Sequence, residues 1–259
     1  NSNYEFVKGN ITNRRLMEEL ISNCDCVVNF AAESFVDRSI HEADPFLVSN
    51  IRGAYTILDI ITKQKKRMVQ VSTDEVFGSL TSTTADESSK LNPSNPYAAT
   101  KAAAELLINS YLATYNSDVI ITRCTNNYGP RQFPEKLIPK TILLLKQKKN
   151  IPVYGNGENV RDWIFVDDHC DAVLMSLLNG KKGESYNISA DNEIDNMTVV
   201  RKILDIMNKS EDLIEFVEDR PGHDFRYSMS SKKISNELGW KTKKSFDEGI
   251  RKTVQWYLD

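Results

Sequence analysis

Short apolar, β-branched runs alternate along the chain with longer stretches whose apolar positions recur at helical spacing. Tyr4–Val7, Cys26–Phe30, Met68–Ser72 and Val119–Cys124 have the length and side chains of strands. Between them, Arg14–Ile21, Pro45 to about Gln64, and Pro96–Tyr115 carry helical patterns. Near-continuous apolar strands separated by helices predict a parallel sheet covered on both faces. After Tyr128-Gly129-Pro130 the texture changes. Helices are predicted near 137–148, 168–179, 197–208 and 245–258, with brief strands near Val153 and Ile164, at Tyr186–Ile188 and at Ile214–Val217. The turns Gly155-Asn156-Gly157 and Arg220-Pro221-Gly222 punctuate this part. The expected fold is α/β: a Rossmann-like doubly wound sheet over residues 1–130, and a smaller α/β lobe over 131–259 laid across the sheet's carboxyl edge. Ser79–Asn92, rich in Ser and Thr, reads as a mobile surface loop.

Composition narrows the partners. The 259 residues are 40% hydrophobic and 27% charged, with a net charge of -3. The pI near 5.8 and mean hydropathy of -0.43 describe an ordinary water-facing surface with no basic field for nucleic acid. No run approaches the ~20 apolar residues that span a bilayer. The polar opening Asn1-Ser2-Asn3 is unlike a signal peptide, and the cytoplasm is the expected compartment. Cys24, Cys26, Cys124 and Cys170 lack metal-ligand spacing and read as small buried residues of a reducing compartment. No metal site is expected from the three scattered histidines, His41, His169 and His223. His169, after Asp167-Asp168, reads as a helix-capping residue and His41 as surface; Trp163, Trp240 and Trp256 read as lobe packing.

Candidate chemistry gathers at one strand end. Tyr97 and Lys101 lie four apart on a predicted helix and so share a face. An ammonium beside a phenol favours the phenolate, which makes tyrosine a usable base near neutral pH. Such pairs also arise by chance; what raises this one is its helix, which follows the strand ending at Ser72-Thr73. Next come Asp74 and Glu75, adjacent carboxyl groups that can divide acid and base work if their surroundings separate their pKa values. The residues alone leave that pair balanced between an acid/base couple and a solvated acidic turn.

Thr73-Asp74-Glu75 followed by Tyr97-x-x-x-Lys101 resembles the dTDP-glucose 4,6-dehydratase family of the extended short-chain dehydrogenase/reductase superfamily. Further segments match in order: Ala31–Ser34, Val36–Ser39, Asn126–Pro130, Phe133–Pro139, Val153–Gly157, Arg161–Trp163 and Asp219–Asp224. The resemblance implies NAD as cofactor, a dTDP-hexose substrate and a homodimer formed through the long helices. It implies Tyr97 as the base at the C4 hydroxyl with Lys101 beside it, Thr73 on the C4 oxygen, Glu75 as the base at C5 and Asp74 as the acid at C6. By the same carry-over, Asn10, Ile11, Phe30, Ala31, Ala32, Ser34, Ser49 and Asn127 would line the cofactor together with Tyr97 and Lys101. Ser34, Thr73, Asn126, Lys136, Leu137, Pro152, Tyr154, Arg161, Asn196, Arg220 and His223 would surround the nucleotide sugar. The guanidinium forks of Arg161 and Arg220 suit a diphosphate, the alternative being ion pairs with Asp162 or Asp219.

The sequence departs from the family at the front. A dinucleotide fold of this kind opens with a strand, a Gly-x-x-Gly-x-x-Gly turn and a helix, but the first glycine here is Gly9. The expectation is a sheet lacking a strand–helix–strand unit, with unpaired backbone at the gap, in a chain that is part of a longer protein or a truncation. Phe35 and Phe77 stand where the family usually has His and Tyr. The competing functions are a sister epimerase or decarboxylase, which the Asp-Glu pair disfavours, and a non-catalytic nucleotide-sugar-binding remnant.

Overall fold

In a computed structural model, which describes residues 3–219 and 221–259, the alternating pattern becomes a layered α/β fold. Asn1 and Ser2 of the polar opening, and the candidate phosphate ligand Arg220, lie outside the described residues. Along the first half run α1 (Arg14–Ser22), β1 (Cys26–Asn29), α2 (Val36–His41), α3 (Asp44–Phe46), a π-helical stretch (Leu47–Gly53), α4 (Ala54–Gln64), β2 (Arg67–Thr73), a 3-10 turn (Asp74–Phe77), α5 (Pro96–Tyr115), β3 (Val119–Cys124) and β4 (Asn126–Tyr128). The second half adds α6 (Leu137–Lys146), β5 (Ile151–Tyr154), β6 (Val160–Phe165), α7 (Val166–Asn179), β7 (Ser185–Ile188), β8 (Glu193–Asp195), α8 (Asn196–Ile206), β9 (Ile214–Val217), α9 (Lys232–Leu238) and α10 (Phe246–Leu258).

Strands pair in the order β1-β2-β3-β7, all parallel, with Val28 opposite Val69 and Thr73 opposite Cys124. Period-two alternation divides the side chains between two helical layers. Met68, Val119 and Ile121 pack with Ile57, Leu58, Ile60 and Ile61 of α4 and Ile108 of α5. Val69, Val71 and Ile120 face Ala172 and Val173 of α7 and Ile234 of α9. Each such buried aliphatic stabilises the fold by roughly 1.5–3 kcal/mol relative to an exposed one. The second half returns β7 to the sheet and builds its own core from α6, α8, α10, β5 and β6. Its strands form two small sheets, β4-β6-β8 and β5-β9.

Helix α5 shows why the site forms where it does. Asn95 caps it by accepting the Ala98 amide at 2.9 Å, and Pro96 occupies the first turn, where its missing N–H costs nothing. The cap fixes the start of the helix, and so which face carries Tyr97 and Lys101.

Several expectations are corrected. Tyr4–Val7 is not a strand: Tyr4 and Phe6 are 71% and 74% exposed, and no strand pairs with them among the described residues. A strand needs a hydrogen-bonded neighbour, and the edge strand β1 has β2 as its strand partner on one side only. Ser79–Asn92 is not a free loop. Ala85 bridges to Met229, the Leu80 amide donates to the Arg226 carbonyl and the Asn92 amide to the Val76 carbonyl. Cys170 is exposed rather than buried, and Trp256 is 43% exposed rather than packed between lobes. His169 does not cap α7, whose N-cap is Phe165; it is buried edge-on to Phe30.

Candidate active site

Strand β2 delivers Ser72, Thr73 and Asp74 to the sheet's carboxyl edge as buried groups, and the 3-10 turn swings Glu75 toward a cavity. Thr73 Oγ1 donates to Asp74 Oδ1 at 3.1 Å and accepts the Glu75 amide at 3.3 Å. Asp74 Oδ2 is buried with no hydrogen-bond partner among the described residues. Burial above all, and then the charge of Glu75, push the Asp74 carboxyl well above its usual pKa, against the pull of Arg161 and the Thr73 hydrogen bond. The carboxyl therefore retains its proton above the usual carboxylate range.

Glu75 has partners that its sequence neighbours do not reveal. Its Oε2 accepts from Asn95 Nδ2 at 3.3 Å and lies 3.2 Å from the Tyr227 hydroxyl. That hydroxyl is also 2.6 Å from Asp224, and the Arg161 guanidinium lies over the Tyr227 ring at 4.3 Å. Tyr227 and Asn95 are thus site residues that spacing could not find. Only the motif residue Asp224, three positions before Tyr227, hinted at that region.

Tyr97 and Lys101 are buried on one face of α5, as their spacing requires. The expected lowering of the tyrosine pKa by the lysine is not what this site shows. Burial and then the Glu75 charge raise Tyr97 well above its ordinary value, opposed by a hydrogen bond with Thr73. Lys101 Nζ is engaged instead with the Val71 carbonyl at 2.6 Å, and burial lowers its pKa to about 8. The thiol of Cys124, opposite Thr73 across the ladder, donates to the Ser72 carbonyl at 3.4 Å and is pushed up to about 12 by burial.

The cavity beside Glu75 has a volume of about 180 Å³. Its walls bring together Asn126, Lys136, Leu137, Pro152, Tyr154, Arg161, Asn196 and His223, eight of the eleven residues expected around the sugar. Arg161 is buried and makes no ion pair with Asp162. It donates to the carbonyls of Val160, Asp224 and Phe225, while Asp162 accepts from Ser189, Ala190 and Asn192. His223 Nδ1 pairs with Asp219 at 2.6 Å, and Tyr154 reaches Asp37 at 3.4 Å. Thr73 lies behind Glu75 at the end of β2, outside the lining. Ser34 is also outside it, its carbonyl accepting from Lys136 Nζ at 2.9 Å. Phe35, one of the two departures, lies beneath the cations of Arg38 and Lys136.

Residues expected on the cofactor side form a separate strip. Phe30, Ala31 and Ser34 are exposed beyond the end of β1; the Ala31 amide donates to Asn29 and the Glu33 amide to Asn50. Ala32 follows in the same loop, and Ser49 sits in the π-helical stretch beside Asn50. Ile11 packs against Gly53, while Asn10 Oδ1 accepts from Thr12. Asn127, at β4, donates through Nδ2 to the Thr125 carbonyl, but its Oδ1 is buried and has no partner among the described residues. Among the described residues no helix is long and apolar enough to cross a membrane, and no cluster of metal-ligating side chains occurs.

A sheet edge carrying a buried Tyr/Lys face, a Thr-Asp-Glu turn and a sugar-sized cavity is the layout of a nucleotide-sugar-modifying dehydrogenase/reductase. The family model described as GDP-mannose 4,6 dehydratase matches residues 1–253. A dTDP-glucose 4,6-dehydratase of Streptomyces niveus is 43% identical over 258 residues, which cover 99% of this chain and 77% of the relative. The low-salt glycan biosynthesis protein Agl12 of Haloferax volcanii is 47% identical over 257 residues, covering 99% and 83%. Among solved structures, a double mutant of the Streptomyces venezuelae dTDP-glucose 4,6-dehydratase DesIV, with NAD and DAU bound, superposes with a TM-score of 0.97 at 42% identity, covering 98% of this chain and 80% of that one. The chain belongs to the nucleotide-sugar 4,6-dehydratases of the extended short-chain dehydrogenase/reductase superfamily.

Proposed function

We propose that the protein is a dTDP-glucose 4,6-dehydratase that works with NAD and produces the 4-keto-6-deoxy sugar. The observation that carries this reading is the pairing of a buried, proton-retaining Asp74 with a cavity-facing Glu75, next to the Tyr97/Lys101 face. An epimerase or decarboxylase needs no such second acid/base couple.

Bound NAD would supply the hydride acceptor for C4 and the hydride donor for C6. Tyr97 takes the C4 hydroxyl proton as that carbon becomes a ketone, with Thr73 hydrogen-bonding the C4 oxygen and Lys101 on the same face of α5. The ketone acidifies the C5 hydrogen, which Glu75 removes as base and returns to C5 when C6 receives hydride. Asp74 gives its proton to the C6 hydroxyl, which departs as water. Arg161, Lys136, Asn196 and His223 line the wall suited to the diphosphate and base.

NAD fits what the chain offers. The orphaned Asn127 Oδ1 is an acceptor available to an amide donor such as a carboxamide, and Ala31, Ala32, Ser34 and Ser49 leave an open strip along the edge. Residues 1–130 make up the cofactor half and residues 131–259 the sugar half. Two copies associate through the α4/α5 face, where Tyr55, Leu106 and Tyr115 are exposed and the rings of Tyr55, Tyr111 and Tyr115 meet in series, edge-on and then tilted. The protein works in the cytoplasm.

Incubation with dTDP-glucose, with and without added NAD, tests the reading. The expected result is a 4-keto-6-deoxy product with base-labile absorbance. Bound dTDP without product, even with NAD supplied, would make the chain a binding remnant instead. In Glu75→Gln, exchange of the C5 proton with solvent should stop while cofactor reduction stays detectable; full turnover would remove Glu75 from the base role.

A further inference from the structure

Beneath the site lies a buried ion pair outside the lining of the cavity beside Glu75. Glu105 is 0% exposed, and Arg123 holds it through three contacts: Nε to each carboxylate oxygen at 3.1 Å and Nη2 to Oε2 at 2.7 Å. Burying two charges is costly, and an apolar pair of similar volume often gives equal or greater stability. Stability is therefore a weak reason for the pair to be there.

Its contacts supply a better reason. Glu105 lies one helical turn beyond Lys101 and two beyond Tyr97, on the same face of α5. It accepts from Ser72 Oγ at 2.5 Å, while Lys101 holds the adjacent Val71 carbonyl. One helix face thus grips successive residues of β2 just before the Thr-Asp-Glu turn. Arg123 stands opposite Ser72 in the β2–β3 register. Its guanidinium lies over Phe77, the last residue of that turn, with 5.0 Å between the guanidinium carbon and the ring centroid. It also reaches Asn187 of β7 at 3.5 Å. The pair therefore holds both ends of the Asp74–Phe77 turn, the start through Ser72 and the finish through Phe77, and references them to the helix bearing Tyr97 and Lys101.

We infer that Glu105 and Arg123 are positioning residues that set the acid/base turn against the Tyr97/Lys101 face. Their role as catalytic supports rests on the dehydratase reading; their role in holding the turn does not.

Amide hydrogen exchange of the unliganded protein reads the turn directly. In Glu105→Gln, exchange across residues 72–78 should accelerate at least tenfold, with α8 unchanged. The double variant Glu105→Leu with Arg123→Met removes both buried charges and should recover thermal stability while the turn stays unprotected. With dTDP-glucose and NAD, both variants should lose about tenfold or more in kcat with KM within about twofold of the parent. Parent-like protection of 72–78 in both variants, or parent-like kcat in the double variant, overturns the inference. A parent protein without turnover sinks the dehydratase reading, and exchange still decides whether the pair holds the turn.

Discussion

At the end of β2, Ser72, Thr73 and Asp74 are buried and their side chains are bonded to other side chains; at the end of β1, one strand away, Phe30, Ala31 and Ser34 stand in solvent. The β1 strip is held through its backbone: Ala31 to Asn29, Glu33 to Asn50 in both directions, and Ser34 to Lys136. One edge thus carries two kinds of surface. Where we propose that protons move, side chains are fixed before any ligand arrives, and their burial shifts which groups hold protons. Where we propose that the cofactor lies, the backbone is shaped and Ala31, Ala32 and Ser34 are small, so the contribution there is room and amide geometry. Substitutions in the buried corner should therefore cost far more turnover than substitutions in the strip.

Tyr97→Phe is the strongest way to break this comparison. The ring contact with Phe46 and the helix remain, and only the hydroxyl is lost. Turnover of dTDP-glucose should fall by about 10²–10⁴-fold, the range of a lost general base. Ala31→Ser in the strip should change it by less than about threefold. Comparable losses at the two positions, measured by product formation at saturating NAD, would mean that the edge is not divided in this way.

Asp74→Asn sharpens the contrast, because activity and stability should move in opposite directions. The amide cannot give up a proton to the departing hydroxyl, so kcat should drop about 10²-fold. The sign of the stability effect follows from the raised carboxyl. Above the unfolded pKa of about 3.9, unfolding releases the Asp74 proton, and the native state loses stability as pH rises toward the folded value. Asn has no such proton. The variant should melt higher than the parent near neutral pH, and the gap should close below about pH 4. A lower melting temperature at pH 7 would show that the carboxyl is ionised in the folded protein.

Local patterns made part of this legible from sequence. Asn95-Pro96 and the apolar period beyond it define α5 to the residue, and Val119–Cys124 is β3 as read. The Tyr97/Lys101 face needs only helical geometry. What was not legible depends on contacts between distant segments. Tyr227 meets Glu75 across 152 positions, and Arg123 meets Glu105 across 18 through a ladder register that no motif encodes. Tyr4–Val7 has strand composition but no strand beside it among the described residues, and composition cannot supply a hydrogen-bonding neighbour. Ser79–Asn92 has the composition of a mobile loop yet is tied down by Arg226 and Met229.

An effect on stability alone belongs to a buried group under the open strip. His169 lies edge-on to Phe30, with ring centroids 6.2 Å apart, and its Nε2 is buried without a hydrogen-bond partner among the described residues. Burial lowers its pKa to about 4. In the unfolded chain the imidazole takes a proton below about pH 6.5, which the folded protein refuses until about pH 4. The unfolded state therefore binds more protons across that window, and stability must fall as pH drops through it. With a slope that approaches about 1.4 kcal/mol per pH unit below the unfolded pKa, His169 alone should cost about 1.5 kcal/mol between pH 6.5 and pH 5. His169→Leu removes the titrating group, so denaturant unfolding should show a flatter pH dependence over this range than in the parent. Equal slopes in the two proteins would mean that the imidazole finds a partner or solvent in the native state, and that the strip above it is more open at this depth than the buried ring implies.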